Sequence, residues 1–204
     1  MGAAQPQLRY SLTEYLTFEE SREEKHEFWR GEIYAMAGAS PAHNQITFNL
    51  TVAVGSGLAG SNCRGFSSDQ RLWIESAQLS TYADLTIVYS ESQYHEKYRT
   101  LLVNPRVIFE VLSPSTAAYD RGEKWECYQQ LESLTDYLLV AQDRPQIEHY
   151  SLNDGGWRYT REAGLEGIVT IASINTRLLL SEIYSGIQFP PPAPPRPSIQ
   201  IVIE

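Results

Sequence analysis

Four residues stand at spacings that suggest chemistry: Asp84 in YADLTIVYS, Glu110 in VIFEVL, and the pair Asp120 and Lys124 in AYDRGEKWECY. Aspartate is a poor strand former, and a glutamate between Phe109 and Val111 sits among residues that belong in a core. A buried carboxylate is costly unless it is paired, protonated or bound to a cation, so each of these two acids needs a compensating partner. Two carboxylates delivered by neighbouring strands converge on hard oxygen ligation, which suits magnesium or manganese with waters filling the remaining positions. Asp120 and Lys124 are spaced to share one face of a helix, and Tyr128 continues the stripe. A cation on that face can offset charge developing at a phosphate. The plainer reading of the same spacing is an exposed ion pair worth about 0.3–0.5 kcal/mol.

The elements that must position these residues alternate in type. S-x-x-E at Ser11 to Glu14 is a capping box opening a helix whose apolar side carries Leu12, Tyr15 and Leu16. HEFWRGEIYAMAG predicts two short strands joined at Arg30 and Gly31. Ser40 and Pro41 open a second helix with Ile46, Leu50 and Val54 at helical spacing. SSDQRLWIES, YADLTIVYS and PRVIFEVL then read as strands. One helix is predicted over 116–131, followed by strands in DYLLVAQD, QIEHYSLN and GWRYTRE with a hairpin turn at NDGG, and a short helix in LSEIYSGI. The order predicts a mixed α/β domain around one central sheet.

Composition narrows the function classes. A chain of 204 residues with 42% hydrophobic content can build an ordinary core. The formal net charge of −9 opposes a broad, sequence-independent DNA-binding surface, because such surfaces work through Lys and Arg. Cys63 and Cys127 stand far apart, outside any zinc-type cluster. No stretch has the length and apolarity of a membrane span and MGAAQPQLRY lacks a secretory pattern, so a cytoplasmic location is expected. The prolines of FPPPAPPRPSIQIVIE favour an extended spacer.

The assembly GEIYAMAGASPAHNQI, YADLTIVYS and NPRVIFEVLSPSTAAYDRGEKWECYQQLESLTDYLLV resembles the Uma2 family, whose fold is that of the PD-(D/E)xK restriction-endonuclease-like superfamily. The resemblance implies an α/β fold with a restriction-endonuclease-like core, a central mixed β-sheet flanked by helices. It implies a flexible segment over 1–9, the domain over 10–189 and a proline-rich tail over 190–204. It further implies a metal-dependent endonuclease acting on nucleic acid, with DNA the expected substrate, and a homodimer with no membrane association. Asp84 and Glu110 would bind magnesium or manganese, with the Val111 carbonyl as a further ligand. Leu112 occupies the lysine position of E-x-K, and Lys124 matches the lysine moved to the following helix, where Asp120 would hold it. Ala83 departs from the proline that usually precedes the aspartate. Glu32 of GEIY is expected at the metal edge, and His43 of SPAHN at an active-site group or a phosphate; Asp69 and Gln70 are weaker candidates.

Two other readings compete. A binding or regulatory module could retain the fold without cutting. A glycoside hydrolase built on two carboxylates leaves Lys124 unexplained. If Lys124 generates hydroxide, activity should climb toward alkaline pH.

Overall fold

The S-x-x-E signal closes as a capping box in the computed structural model, which describes residues 9–189. The segment expected to be flexible over 1–9, Arg9 apart, and the proline-rich tail over 190–204 lie outside the described residues. Ser11 accepts from the Glu14 amide while the Glu14 carboxylate accepts from the Ser11 amide, and α1 (Leu12–Glu20) begins there. Then β1 (His26–Trp29) and β2 (Glu32–Ala35) form the predicted hairpin. Arg30 and Gly31 both take positive φ, 50° and 91°, the turn whose twist suits antiparallel strands. Ser40 caps α2 (Pro41–Gly57), which buries Ile46, Leu50 and Val54.

Six strands follow: β3 (Cys63–Ser67), β4 (Arg71–Ile74), β5 (Leu79–Tyr82), β6 (Leu85–Tyr89), β7 (Leu101–Leu102) and β8 (Val107–Leu112). After α3 (Ala117–Arg121) and α4 (Glu123–Tyr128) come β9 (Asp136–Ala141), β10 (Gln146–Asn153), β11 (Gly156–Ala163), β12 (Ile168–Ile171), β13 (Thr176–Leu179) and α5 (Leu180–Ile183).

Three expectations are corrected. The strands form not one sheet but a five-stranded sheet (β2-β1-β5-β4-β7), a six-stranded sheet (β11-β10-β9-β8-β6-β3) and the ribbon β12-β13. The six-stranded sheet is mixed, since β8 and β9 run parallel and its other pairs are antiparallel. YADLTIVYS is not one strand: Tyr82 ends β5 in one sheet, Leu85 starts β6 in the other, and Asp84 sits in the crossing between them. The helix predicted over 116–131 is two helices broken at Gly122, where a Cβ would stand 3.2 Å from the Ala118 carbonyl oxygen.

The six-stranded sheet is apolar on both faces. Val107, Phe109 and Val111 pack with Leu85, Ile87 and the Ile46, Leu50 and Val54 stripe of α2. Ile108 and Leu112 pack in a second cluster with Trp125 and Tyr128 of α4 and with Leu72, Ile74 and Leu79 of the five-stranded sheet. Glu110 alternates onto this second face, which aims a carboxylate into the layer occupied by α4. Among the described residues no helix is long and apolar enough to cross a membrane.

A buried polar knot ties β9 to β10. Asp136 Oδ1 lies 2.7 Å from His149 Nε2, and Oδ2 accepts from the hydroxyls of Thr135, at 2.8 Å, and Ser173. Burial alone would raise the Asp136 pKa, but the hydrogen bonds from His149, Ser173 and Thr135 outweigh it and hold the carboxyl below its ordinary 3.8. A depressed folded-state pKa contributes stability that is present above the ordinary value and lost as pH falls through the folded one. Asp136→Asn should therefore lower the unfolding free energy by about 1–3 kcal/mol near neutral pH. The gap to the parent protein should narrow below about pH 4, and urea unfolding at the two pH values measures it.

Candidate active site

The β6 to β8 register pairs Leu85 with Phe109 and Ile87 with Val107 in antiparallel sense, so one further step sets Asp84 opposite Glu110. Both Asp84 oxygens are engaged. Oδ2 accepts from the Val111 amide at 2.7 Å, and Oδ1 lies 2.9 Å from Nε2 of His43, one turn into α2. Thus the strand crossing, β8 and the start of a long helix meet at one carboxylate.

Glu110, only 5% exposed, faces α4. The Tyr128 hydroxyl donates to its Oε1 at 2.8 Å, and Lys124 Nζ stands 3.0 Å from the same oxygen. Lys124 Nζ is also 3.2 Å from Glu27 Oε1 and 3.8 Å from Asp120 Oδ1. Lys124 and Asp120 are each 3% exposed, which overturns the exposed-pair reading of their spacing. The break at Gly122 accounts for this. It starts α4 afresh at Glu123, the residue before Lys124, and the lysine is buried together with Trp125 and Tyr128.

The charge states follow from burial and neighbours. Burial pushes the Glu110 carboxyl up to about 8 against the lowering pull of Lys124. Burial pulls on the Lys124 ammonium in the opposite sense, but Glu110, Glu27 and Asp120 outweigh it and hold the amine well above its ordinary range. Burial also raises the Asp120 carboxyl. The direction of the Lys124 shift favours the ammonium form. Its chemistry is that of a fixed positive charge and a hydrogen-bond donor.

These groups open into a cleft of about 950 Å3. Asp84, Glu110, Val111, Asp120, Lys124 and His43 all line it; of the sequence-predicted residues, Glu32 and the weaker candidates Asp69 and Gln70 do not. Glu32 does not line the cleft, and its carboxylate accepts a hydrogen bond from Tyr34. The acid that the hairpin does deliver is Glu27, on β1, whose Oε1 also accepts from the Thr81 hydroxyl. Glu27 carries the same signal that singled out Glu110, a carboxylate inside a run of strand formers, and HEFW could have been read that way. Asp69 pairs with Lys25 at 2.6 Å with most of its side chain in solvent, and the Gln70 amide donates to the carbonyls of Arg71 and Thr100.

Asp84, in the strand crossing, and Glu110, within β8, are hard oxygen donors, and six carboxylates (Glu24, Glu27, Asp84, Glu110, Asp120 and Glu123) line the cleft against Lys25 and Lys124. The donor type and the negative excess fit a hard divalent cation that takes one or two carboxylates and keeps its waters. Among the described residues no three His, Cys, Asp or Glu side chains converge as a ready-made metal cage.

Comparison with known proteins gives a family and a fold. Residues 12–174 match the model of the Uma2 family, described as "Putative restriction endonuclease". Two proteins of Synechocystis sp. are similar to this chain. "Uncharacterized protein sll1609" is 37% identical over 155 residues, covering 76% of this chain and 88% of that protein. "Uncharacterized protein slr1290" is 36% identical over 185 residues, covering 89% and 94%. A solved structure from Anabaena variabilis, titled as that of "a putative nuclease belonging to DUF820", superposes with a TM-score of 0.69 at 17% identity, over 86% of this chain and 97% of that one. That likeness shows a shared mixed α/β fold, with central mixed sheets and several helices.

Lys124→Met would leave Glu27, Glu110 and Asp120 buried without their shared cation. The variant should lose about 3–5 kcal/mol of stability in denaturant unfolding. Adding Glu27→Gln should return part of that loss, because one of the stranded charges is then gone.

Proposed function

The chain belongs to the Uma2 family, and from that membership together with its acidic cleft we propose that it is a metal-dependent endonuclease of the PD-(D/E)xK type, hydrolysing phosphodiester bonds of DNA. The observation that carries the reading is Asp84, in the crossing before β6, set beside β8 where Glu110 lies, with Lys124 buried 3.0 Å from Glu110. Asp84 and Glu110 would hold magnesium or manganese, with the Val111 carbonyl as a further ligand. When bound, such an ion lowers the pKa of a water and offsets charge on the phosphate and the departing oxygen.

The chain's own residues would supply the rest. His43 and the Val111 amide fix the Asp84 carboxylate in one orientation. Tyr128 and Lys124 both engage one oxygen of Glu110, Oε1. Lys124, as an ammonium, stabilises negative charge as water oxygen bonds to phosphorus and the bond from phosphorus to the leaving oxygen breaks. Asp120 and Glu27 keep that ammonium charged and in place. Glu32 shares the hairpin face of Tyr34 and accepts a hydrogen bond from its hydroxyl.

The reading includes a homodimer in the cytoplasm, with 10–189 as the catalytic domain and the proline-rich tail as a spacer. Phe48 and Val52, exposed one turn apart on α2, support self-association, and sedimentation equilibrium would test it. The rival reading, a binding or regulatory module without catalysis, draws on the net charge of −9.

Calorimetric titration of manganese should show binding to the parent protein and none to a folded Asp84→Asn variant. In a plasmid and oligonucleotide cleavage assay, Lys124→Gln, checked for folding by circular dichroism, should slow turnover by about a hundredfold or more while still binding manganese. Cleavage that survives Asp84→Asn, or metal binding that survives it, would remove the proposed site.

A further inference from the structure

The cleft has an aromatic wall that the hydrolytic chemistry does not use. Glu27, Trp29 and Tyr34 share one face of the β1–β2 hairpin, with Glu27 directly across from Tyr34, and Trp29 and Tyr34 both line the cleft. Tyr119 of α3 lines it too, with its ring 6.4 Å from that of Trp29. Lys124 Nζ lies 5.9 Å from the centre of the Tyr119 ring. The rings therefore run inward from Tyr34, 45% exposed, through part-buried Trp29 and Tyr119 to the buried ammonium. Two polar groups on lining residues, the Trp29 indole N–H and the Thr47 hydroxyl, are buried and have no partner among the described residues.

The reactive groups are also deep. Glu110, Asp120 and Lys124 are 3–5% exposed, so a phosphodiester reaches them only if its nucleotide enters the cleft. A paired duplex presents its backbone on a stiff stacked cylinder, and its bases become available to aromatic side chains only when unpaired. Stacking platforms are the common device for holding single strands, and they work on every base because every base has a π face. The scarcity of cations in the cleft, Lys25 and Lys124 against six carboxylates, points the same way, since backbone charge alone cannot supply the affinity.

We infer that the substrate enters as a single strand, with unpaired bases stacking on Tyr34, Trp29 and Tyr119. The inference rests on the nuclease reading above and specifies its substrate class. Tyr34 is the position to test, because it is exposed and its removal leaves the core untouched.

Fluorescence anisotropy in magnesium buffer would compare a fluorescein-labelled mixed-sequence DNA strand, the same strand annealed to its complement, and an abasic strand of equal length, with cleavage read separately on denaturing gels. The intact single strand should bind about tenfold or more tighter than either alternative, Tyr34→Ala should lose about tenfold, and Tyr34→Phe should keep its affinity, all at unchanged thermal stability. Equal or tighter binding of duplex or abasic strand, or Tyr34→Ala binding like the parent, overturns the inference. Single-strand binding without cutting upholds it while removing the nuclease reading; preferential binding and cutting of duplex does the reverse.

Discussion

One buried ammonium organises this protein. Lys124 is within 4 Å of carboxylates from three separate segments: Glu27 on β1, Glu110 on β8 and Asp120 at the end of α3. A lone ammonium at 3% exposure would be prohibitively costly, and so would three carboxylates without it. Each segment is therefore held in register by the need to satisfy the others. The cluster is still short of positive charge, with one cation for three acids. Burial raises the Glu110 carboxyl to about 8 against the lowering pull of Lys124, the direction such a deficit favours. An entering divalent cation would meet the same deficit from the cleft side. Structural cost and chemical capacity thus have a common origin.

The lysine keeps its place because aromatic packing pins the helix that carries it. Trp125, the next residue, stacks on Tyr137 of β9 at 5.1 Å and 6° and meets Tyr150 of β10 at 4.6 Å and Trp157 of β11 at 4.7 Å. The Tyr137 hydroxyl donates to the Asp120 carbonyl, and Arg121 clamps Glu148 of β10 through two nitrogens. Broken helices of five and six residues would be marginal alone. Seated on three strands they become rigid enough to aim one side chain.

Much of this was legible in the sequence, and what was not has physical reasons. The capping box, the Arg30 and Gly31 hairpin, the Ser40 and Pro41 start and the Asp84, Glu110, Lys124 set rest on local signals, which tertiary context reinforced. The split of YADLTIVYS between two sheets has no local signal, because Ala83 and Asp84 differ from a continuous strand only in where the flanking residues find partners. The break at Gly122 could be read only as a weak point, since glycine is tolerated in helices at modest cost. Choosing Glu32 over Glu27 followed the motif GEIY rather than strand alternation. Alternation alone cannot separate the two, because Glu32 pairs with Trp29 and shares its face with Glu27; what differs is position along the hairpin, which brings Glu27 and not Glu32 to Lys124 and the cleft.

The net charge of −9 and a nucleic-acid substrate are compatible on this geometry. Six of the acids line the cleft, where they concentrate cations, so the groups that weaken long-range attraction to phosphate are the same groups that would recruit a metal to neutralise it. A polyanion held chiefly through its backbone would need Lys and Arg at the rim. A strand held by its bases needs rings, and Tyr34, Trp29 and Tyr119 are the rings this cleft supplies. The acidity that argues against a broad duplex-binding surface is therefore the composition expected of a site that would take its positive charge from solution and its grip from stacking.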